Sequence, residues 1–276
     1  MSAHDTLAGF PAPEAGPWRT FADRLPTLAL AETRRLMLHP LTIAGLVAYV
    51  LNVVSGAWGP RPAFSMLTSA LVIPLGVPVF FASVLVASAS RRAGADEMLA
   101  AAPVTREQRT AASCLAALGP FLLAGTIQAV LAGIYVVTDV ELQRFPTFFE
   151  IASGPLCLLG GSLLGVAVAR WLPWPGASAL VMLGLMAANQ VVESEHDSLT
   201  MLGLYVEFAL WGHPPYLEPA GFIPGSPAWH ALYLLALSLG AGALAMARDA
   251  ARRGWWLGAG AVLTAVAVVS GVWQLP

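Results

Sequence analysis

Twenty-one residues, Ser90–Thr110 (SRRAGADEMLAAAPVTREQRT), hold Arg91, Arg92, Asp96, Glu97, Arg106, Glu107 and Arg109. The flanking stretches, Ala63–Ser88 and Ala111–Val137, contain no charge at all. Guanidinium and carboxylate groups interleaved at this density suit ion pairing with a partner protein. They equally suit a topological anchor or a solvated connecting loop, since surface charge runs commonly just face water. A second set of polar groups lies inside apolar stretches: Asn52, Thr126, Gln128, Asn189 and Gln190. Such groups either line a path for a transported molecule or hydrogen-bond between helices, at about 1 kcal/mol or less each. The run ESEHD (Glu193–Asp197) offers carboxylates and one histidine, but its spacing matches no zinc site, and no metal ligand set is assigned. Cys114 and Cys157 fall in apolar segments and read as small hydrophobes.

The chain contains no lysine; all 14 basic residues are arginine. A phosphate-binding P-loop requires the lysine of G-x-x-x-x-G-K-[ST]. The chain is therefore not itself a P-loop ATPase. Its net charge of −2 gives no bulk attraction to nucleic acid, and no nucleic-acid partner is expected.

The elements that carry these groups follow from composition. Of 276 residues 57% are hydrophobic and 11% charged, against about 25% charged in a soluble domain. An all-α polytopic integral membrane protein is expected. A helix crosses the ~30 Å hydrocarbon layer in about 20 apolar residues. Seven segments qualify: Leu41–Trp58, Phe64–Ala89, Ala111–Val137, Ile151–Ala169, Gly176–Val192, Ala231–Ala247 and Trp255–Trp273. The first and fifth are short; the second and third are long enough to tilt or protrude. The N-terminal forty residues are polar and proline-bearing, so the first span is expected to serve as the insertion signal. Arginine bias sets the orientation. With the N-terminus in the cytoplasm, twelve arginines fall inside and two, Arg61 and Arg144, outside, while the acids divide eight and eight. The charged segment is then cytoplasmic, between the second and third spans. If the last segment does not span, six remain and the C-terminus stays inside.

Within the charged segment, Gly94–Ala102 reads as a short helix with Asp96 and Glu97 in its first turn, at the positive end of its dipole. Pro103 stops it. Thr105–Gln108 (TREQ) matches a capping box and starts a new helix into the third span. The spans as bounded above contain no Asp, Glu, Arg or His, with His230 at the edge of the sixth. This argues against a proton- or sodium-coupled carrier and against an intramembrane metalloprotease. GGSLLG (Gly160–Gly165) permits close helix approach and could serve dimer packing. Between the fifth and sixth spans, Glu193–Trp229 forms a long outer segment, in which Leu199–Gly212 suits an interfacial or re-entrant helix.

Leu28–Val47 (LALAETRRLMLHPLTIAGLV), Arg91–Arg109 and Gly212–Leu237 together resemble permease subunits of type-2 (exporter) ABC transporters, in an actinobacterial form. The resemblance implies six core transmembrane helices, a seventh here being additional. It implies an N-terminal interfacial helix within residues 1–40, marked by Glu32, Arg34, Arg35, His39 and Pro40, and a permease domain over 41–276. The coupling loop would be 90–110 and the extracellular segment 193–229. In that loop Arg91, Arg92, Asp96, Glu97, Leu99, Pro103, Arg106, Glu107 and Arg109 would contact a separate ATP-binding subunit. ATP and Mg would sit on that subunit, with no cofactor and no catalytic residue on this chain. A second permease copy and membrane lipid would be the other partners, in a bacterial plasma membrane. Asn52, Gln128, Asn189 and Gln190 would be the candidates for a cargo path. The N-terminal helix departs from the pattern: at 100° per residue, Glu32 shares a side with Leu25, Leu28 and Leu36, so it is not cleanly amphipathic. Two other functions remain open on the sequence: an ATP-independent carrier or channel, and a non-transporting membrane scaffold.

Overall fold

A computed structural model describes residues 17–55, 63–68, 70–94, 104–138, 145–194 and 226–274; side chains of 17–23, 55, 63–65 and 188–194 are not described. These residues form helices and turns, with no strand among them. Five helical stretches are long and apolar enough to cross a membrane, or six if one bent pair counts as a single span. The molecule thus has the build of an all-α polytopic membrane protein.

The chain opens with α1 (Pro17–Met37) and α2 (Pro40–Ser55), whose axes differ by 55°. The elbow between them has a local cause. Pro40 cannot donate a backbone hydrogen bond, so it sits in the first turn of α2, where that donor is not needed. His39 closes the turn, its Nδ1 accepting from Leu41 N at 3.2 Å, and Thr42 Oγ1 donates to Leu36 O at 2.7 Å. The buried face of α1 meets protein: Leu36 packs with Ala82 and Ala116, and Thr33 and Met37 close over Gly119. This accounts for the imperfect amphipathicity of α1. Its inward face is fitted to neighbouring helices and is not a uniform apolar stripe for lipid.

The second apolar segment is broken. α3 (Ala63–Thr68) ends, a π-helical turn follows at Val72–Gly76, and α4 (Val77–Ala87) resumes. Pro74 and Pro78 lie in this stretch, and each removes one backbone donor from the helical ladder. A further turn, α5 (Ala89–Arg92), ends at Gly94, which has a φ of +65°. The third segment comprises α6 (Arg106–Ala116) and α7 (Leu118–Val137), which together run as one 32-residue helix.

α8 (Phe148–Trp171) is the central post of the bundle, enclosed along most of its length. It packs closely on α4 because glycine replaces a side chain where the backbones meet. A Cβ on Gly165 would lie 2.7 Å from Phe80 O, and Ser83 and Ser162 hydroxyls share a 3.0 Å hydrogen bond nearby. The glycines of GGSLLG therefore serve contact within the chain: Gly161 and Gly165 face α4. α9 (Ala177–Ser194) follows, then α10 (Pro227–Asp249) and α11 (Arg253–Trp273). The last two pack as an antiparallel pair, joined at one end by Ser226 N donating to Gln274 O at 2.8 Å. There Trp229 and Trp273 meet edge to face, 4.8 Å between centroids. Most of α11 faces outward, as at Val262, which is 64% exposed.

Candidate coupling face and intramembrane polar site

The arginines of α5, α6, α8, α10 and α11 collect at one end of the bundle. Thr105 caps α6 with both bonds of the box: Gln108 N donates to Thr105 Oγ1 at 3.1 Å, and Thr105 N to Gln108 Oε1 at 2.9 Å. This fixes where the helix starts and so where Arg106, Glu107 and Arg109 project. Arg106 is exposed. Glu107 Oε2 accepts from Ala251 N at 3.2 Å, which ties α6 to the corner between α10 and α11. Arg109 is half-buried and lies near Arg170. Arg91 donates to Ala169 O at 2.8 Å, across to α8, and Arg92 donates to Leu85 O.

One carboxylate organises the middle of this end. Asp249 Oδ2 accepts from Thr110 Oγ1 at 2.6 Å and lies 3.4 Å from Arg170 Nε. Beside it, Trp171 Nε1 donates to Leu244 O at 2.8 Å. The guanidinium carbons of Arg248 and Arg253 stand 5.6 Å and 5.3 Å from the centre of the Trp171 ring.

The α1–α2 elbow belongs to the same end. Glu32 Oε1 accepts from Arg35 at 2.8 Å, while Arg34 is exposed. His39 lies near enough to Arg92 to feel its charge. Its pKa is held below the usual 6.5, first by desolvation and then by that guanidinium. The elbow and the first half of the charged segment, assigned separately from the sequence, are thus brought together. Asp96, Glu97, Leu99 and Pro103, with the short helix expected over Gly94–Ala102, lie outside the described residues apart from Gly94. So do residues 195–225 of the outer segment.

A second polar cluster surrounds the break in the second segment. A helix that breaks leaves carbonyls without their usual donors, and in an apolar setting these must be met by side chains. Asn52 on α2 directs Nδ2 to Ala70 O at 3.5 Å, and Gln128 on α7 directs Nε2 to Thr68 O at 3.4 Å. Gly154 leaves the room for this. A Cβ there would fall 2.7 Å from Gln128 Nε2 and 2.9 Å from Thr68 O. Asn52 and Gln128 are both buried, as are Tyr49 and Thr68 beside them. The structure thus brings two of the four cargo-path candidates to one place, each with a structural role. The side chains of Asn189 and Gln190 lie outside the described residues.

The spans as bounded from hydropathy hold no ionisable group, but the helices run further than those bounds and take in several at their ends. α8 includes Glu150 and Arg170, and α10 includes His230, Arg248 and Asp249. Glu150 is fully buried in a capping box with Thr147, whose N and Oγ1 donate to Glu150 Oε2 at 2.7 Å and 2.8 Å. Its signal was legible as T-x-x-E in Thr147–Glu150. His230 is buried with Nδ1 2.7 Å from Gln274 Oε1. All five sit in the first or last turns of their helices. The two cysteines are free, and no group of three or more potential metal-binding side chains occurs among the described residues. No family model, curated protein or solved structure matches the chain.

Proposed function

We propose that this chain is the membrane-spanning permease subunit of an ATP-driven exporter of the type-2 ABC kind. Its arginine-rich end faces the cytoplasm of a bacterial cell, and a separate ATP-binding subunit docks there. Its cargo is hydrophobic or amphipathic. The observation that best supports this reading is mechanical. The second half of the charged segment is the capped start of a continuous helix of 32 residues. At 1.5 Å per residue that rod is about 48 Å long, against a hydrocarbon layer of ~30 Å. A subunit pressing on Arg106 and Glu107 would therefore move the far end of the rod directly. The missing lysine leaves no P-loop in this sequence, which suits a motor on another polypeptide. The ionisable groups, held at helix ends, suit a path driven from outside the membrane rather than by a bound ion. In this reading the core has six crossing helices, α11 is the seventh, and two copies assemble.

The test is co-purification from native membranes followed by mass spectrometry. A P-loop ATPase should accompany the chain and be lost when Asp96→Lys, Glu97→Lys and Arg106→Glu are combined. A folded chain that purifies without an ATPase and transports cargo alone in liposomes is instead a carrier. One that purifies alone and transports nothing is a scaffold.

A further inference from the structure

We propose that the corner formed by Trp171, Arg248 and Arg253 binds the phosphate of an anionic phospholipid, independently of whether the chain is an exporter. Three observations carry it. First, the two guanidiniums come from different helices, α10 and α11, yet converge on one ring. The ring cannot swing freely, because its N–H is committed to Leu244 O at 2.8 Å. A guanidinium lying against a ring keeps its edge donors for other partners, and their planar fork matches phosphate oxygens. Both arginines are exposed, and neither has a carboxylate partner among the described residues.

Second, the nearby acids among the described residues are already engaged. Asp249 is taken up by Thr110 and Arg170, and Glu107 by Ala251 N. Among the described residues the corner therefore has surplus positive charge, from Arg248 and Arg253. Third, the surface beside it suits a lipid tail. α11 begins here, and its outward face runs away from the corner as exposed apolar side chains, among them Trp255 at 75% and Leu257 at 46%. A headgroup held at the corner would have its chains laid along that face. A docked soluble protein would use the charge but leave the apolar face uncovered, so lipid is the better fit. Basic clusters at the ends of membrane helices commonly take up anionic headgroups in this way.

The experiment uses the full chain in nanodiscs of mixed phosphatidylglycerol and phosphatidylcholine, with retained lipid read by native mass spectrometry. Phosphatidylglycerol should be retained over phosphatidylcholine, and Arg248→Gln with Arg253→Gln should weaken that retention about thirtyfold. Arg34→Gln, an exposed arginine at the same end, should leave it unchanged. Equal retention of the two lipids by the unaltered chain overturns the proposal, and this comparison needs no variant to fold. It is also overturned if glycerol phosphate displaces the bound species as well as phosphatidylglycerol does, since the tail would then contribute nothing. A double variant that keeps its lipid but loses a co-purifying protein would make the corner a protein contact.

Discussion

Thr110 and Asp249, 139 positions apart, share a 2.6 Å hydrogen bond in which the hydroxyl donates to Oδ2. The same oxygen faces Arg170 at 3.4 Å, so one carboxylate joins α6, α8 and α10. Asp249→Ala should cost about 3 kcal/mol, because it strands a largely buried guanidinium. Thr110→Val, which removes one neutral donor and leaves the ion pair, should cost about 1 kcal/mol. Chemical unfolding of both variants in detergent gives the comparison. Equal losses would mean that the ion pair adds nothing to the hydrogen bond.

Close backbone contact at Gly154 and Gly165 makes a sharper packing prediction. An alanine methyl at either position would press on a backbone carbonyl oxygen, at 2.9 Å and 2.7 Å respectively. Backbone cannot rotate aside, so each substitution should destabilise by about 1–3 kcal/mol. Gly133→Ala, with nothing within 4 Å of the added atom, is the control and should be nearly neutral. Thermal aggregation midpoints of the three variants would check this ordering.

At the broken helix, Asn52→Leu and Gln128→Leu each deprive a freed carbonyl of its donor. The expected cost is about 1 kcal/mol apiece. If transport by the assembled complex falls while stability is unmoved, these amides act on the cargo and not on the break.

Acidification should loosen the α1–α2 elbow. His39 holds its pKa below 6.5 and uses Nδ1 as an acceptor, so its neutral form is the folded one. Its contribution is complete above pH 6.5. It declines as the pH falls below that value, because the unfolded chain takes up the proton first. The melting temperature of His39→Asn, which can still cap α2, should therefore fall less between pH 7.5 and 5.5 than that of the unaltered chain. Arg92→Gln should lessen the slope in the same direction. Identical slopes in all three would remove His39 as the cause.

What the sequence discloses differs from element to element. The capping box at Thr105 was legible because a four-residue pattern suffices to make it, and both of its bonds are present. The all-helical class and the approximate place of the long apolar helices were legible because burial in lipid needs little more than length and apolarity; the count of seven was not met, since five stretches, or six with the bent pair, are long and apolar enough to cross. The π-helical turn at Val72–Gly76 was not legible, since hydropathy passes over Pro74 and Pro78 without change and only the backbone registers the missing donors. The extra reach of α8 and α10 was missed for a related reason. Glu150, Arg170, His230 and Asp249 end the apolar runs, but a capping box at Glu150 and partners on other elements for Arg170, His230 and Asp249 let the helices reach them. The inward face of α1 was hidden because what it meets, Gly119 and Ala116, is distant in sequence.

The pairing of α10 with α11 also bears on how the chain is built into a bilayer. α10 carries the buried imidazole of His230 at its start. Gln274, forty-four positions later, meets that imidazole at 2.7 Å, and the Ser226–Gln274 bond closes the same end. The two helices thus close on each other as a hairpin, which makes them a unit of biogenesis: α10 settles in the membrane together with the helix that follows it from the ribosome.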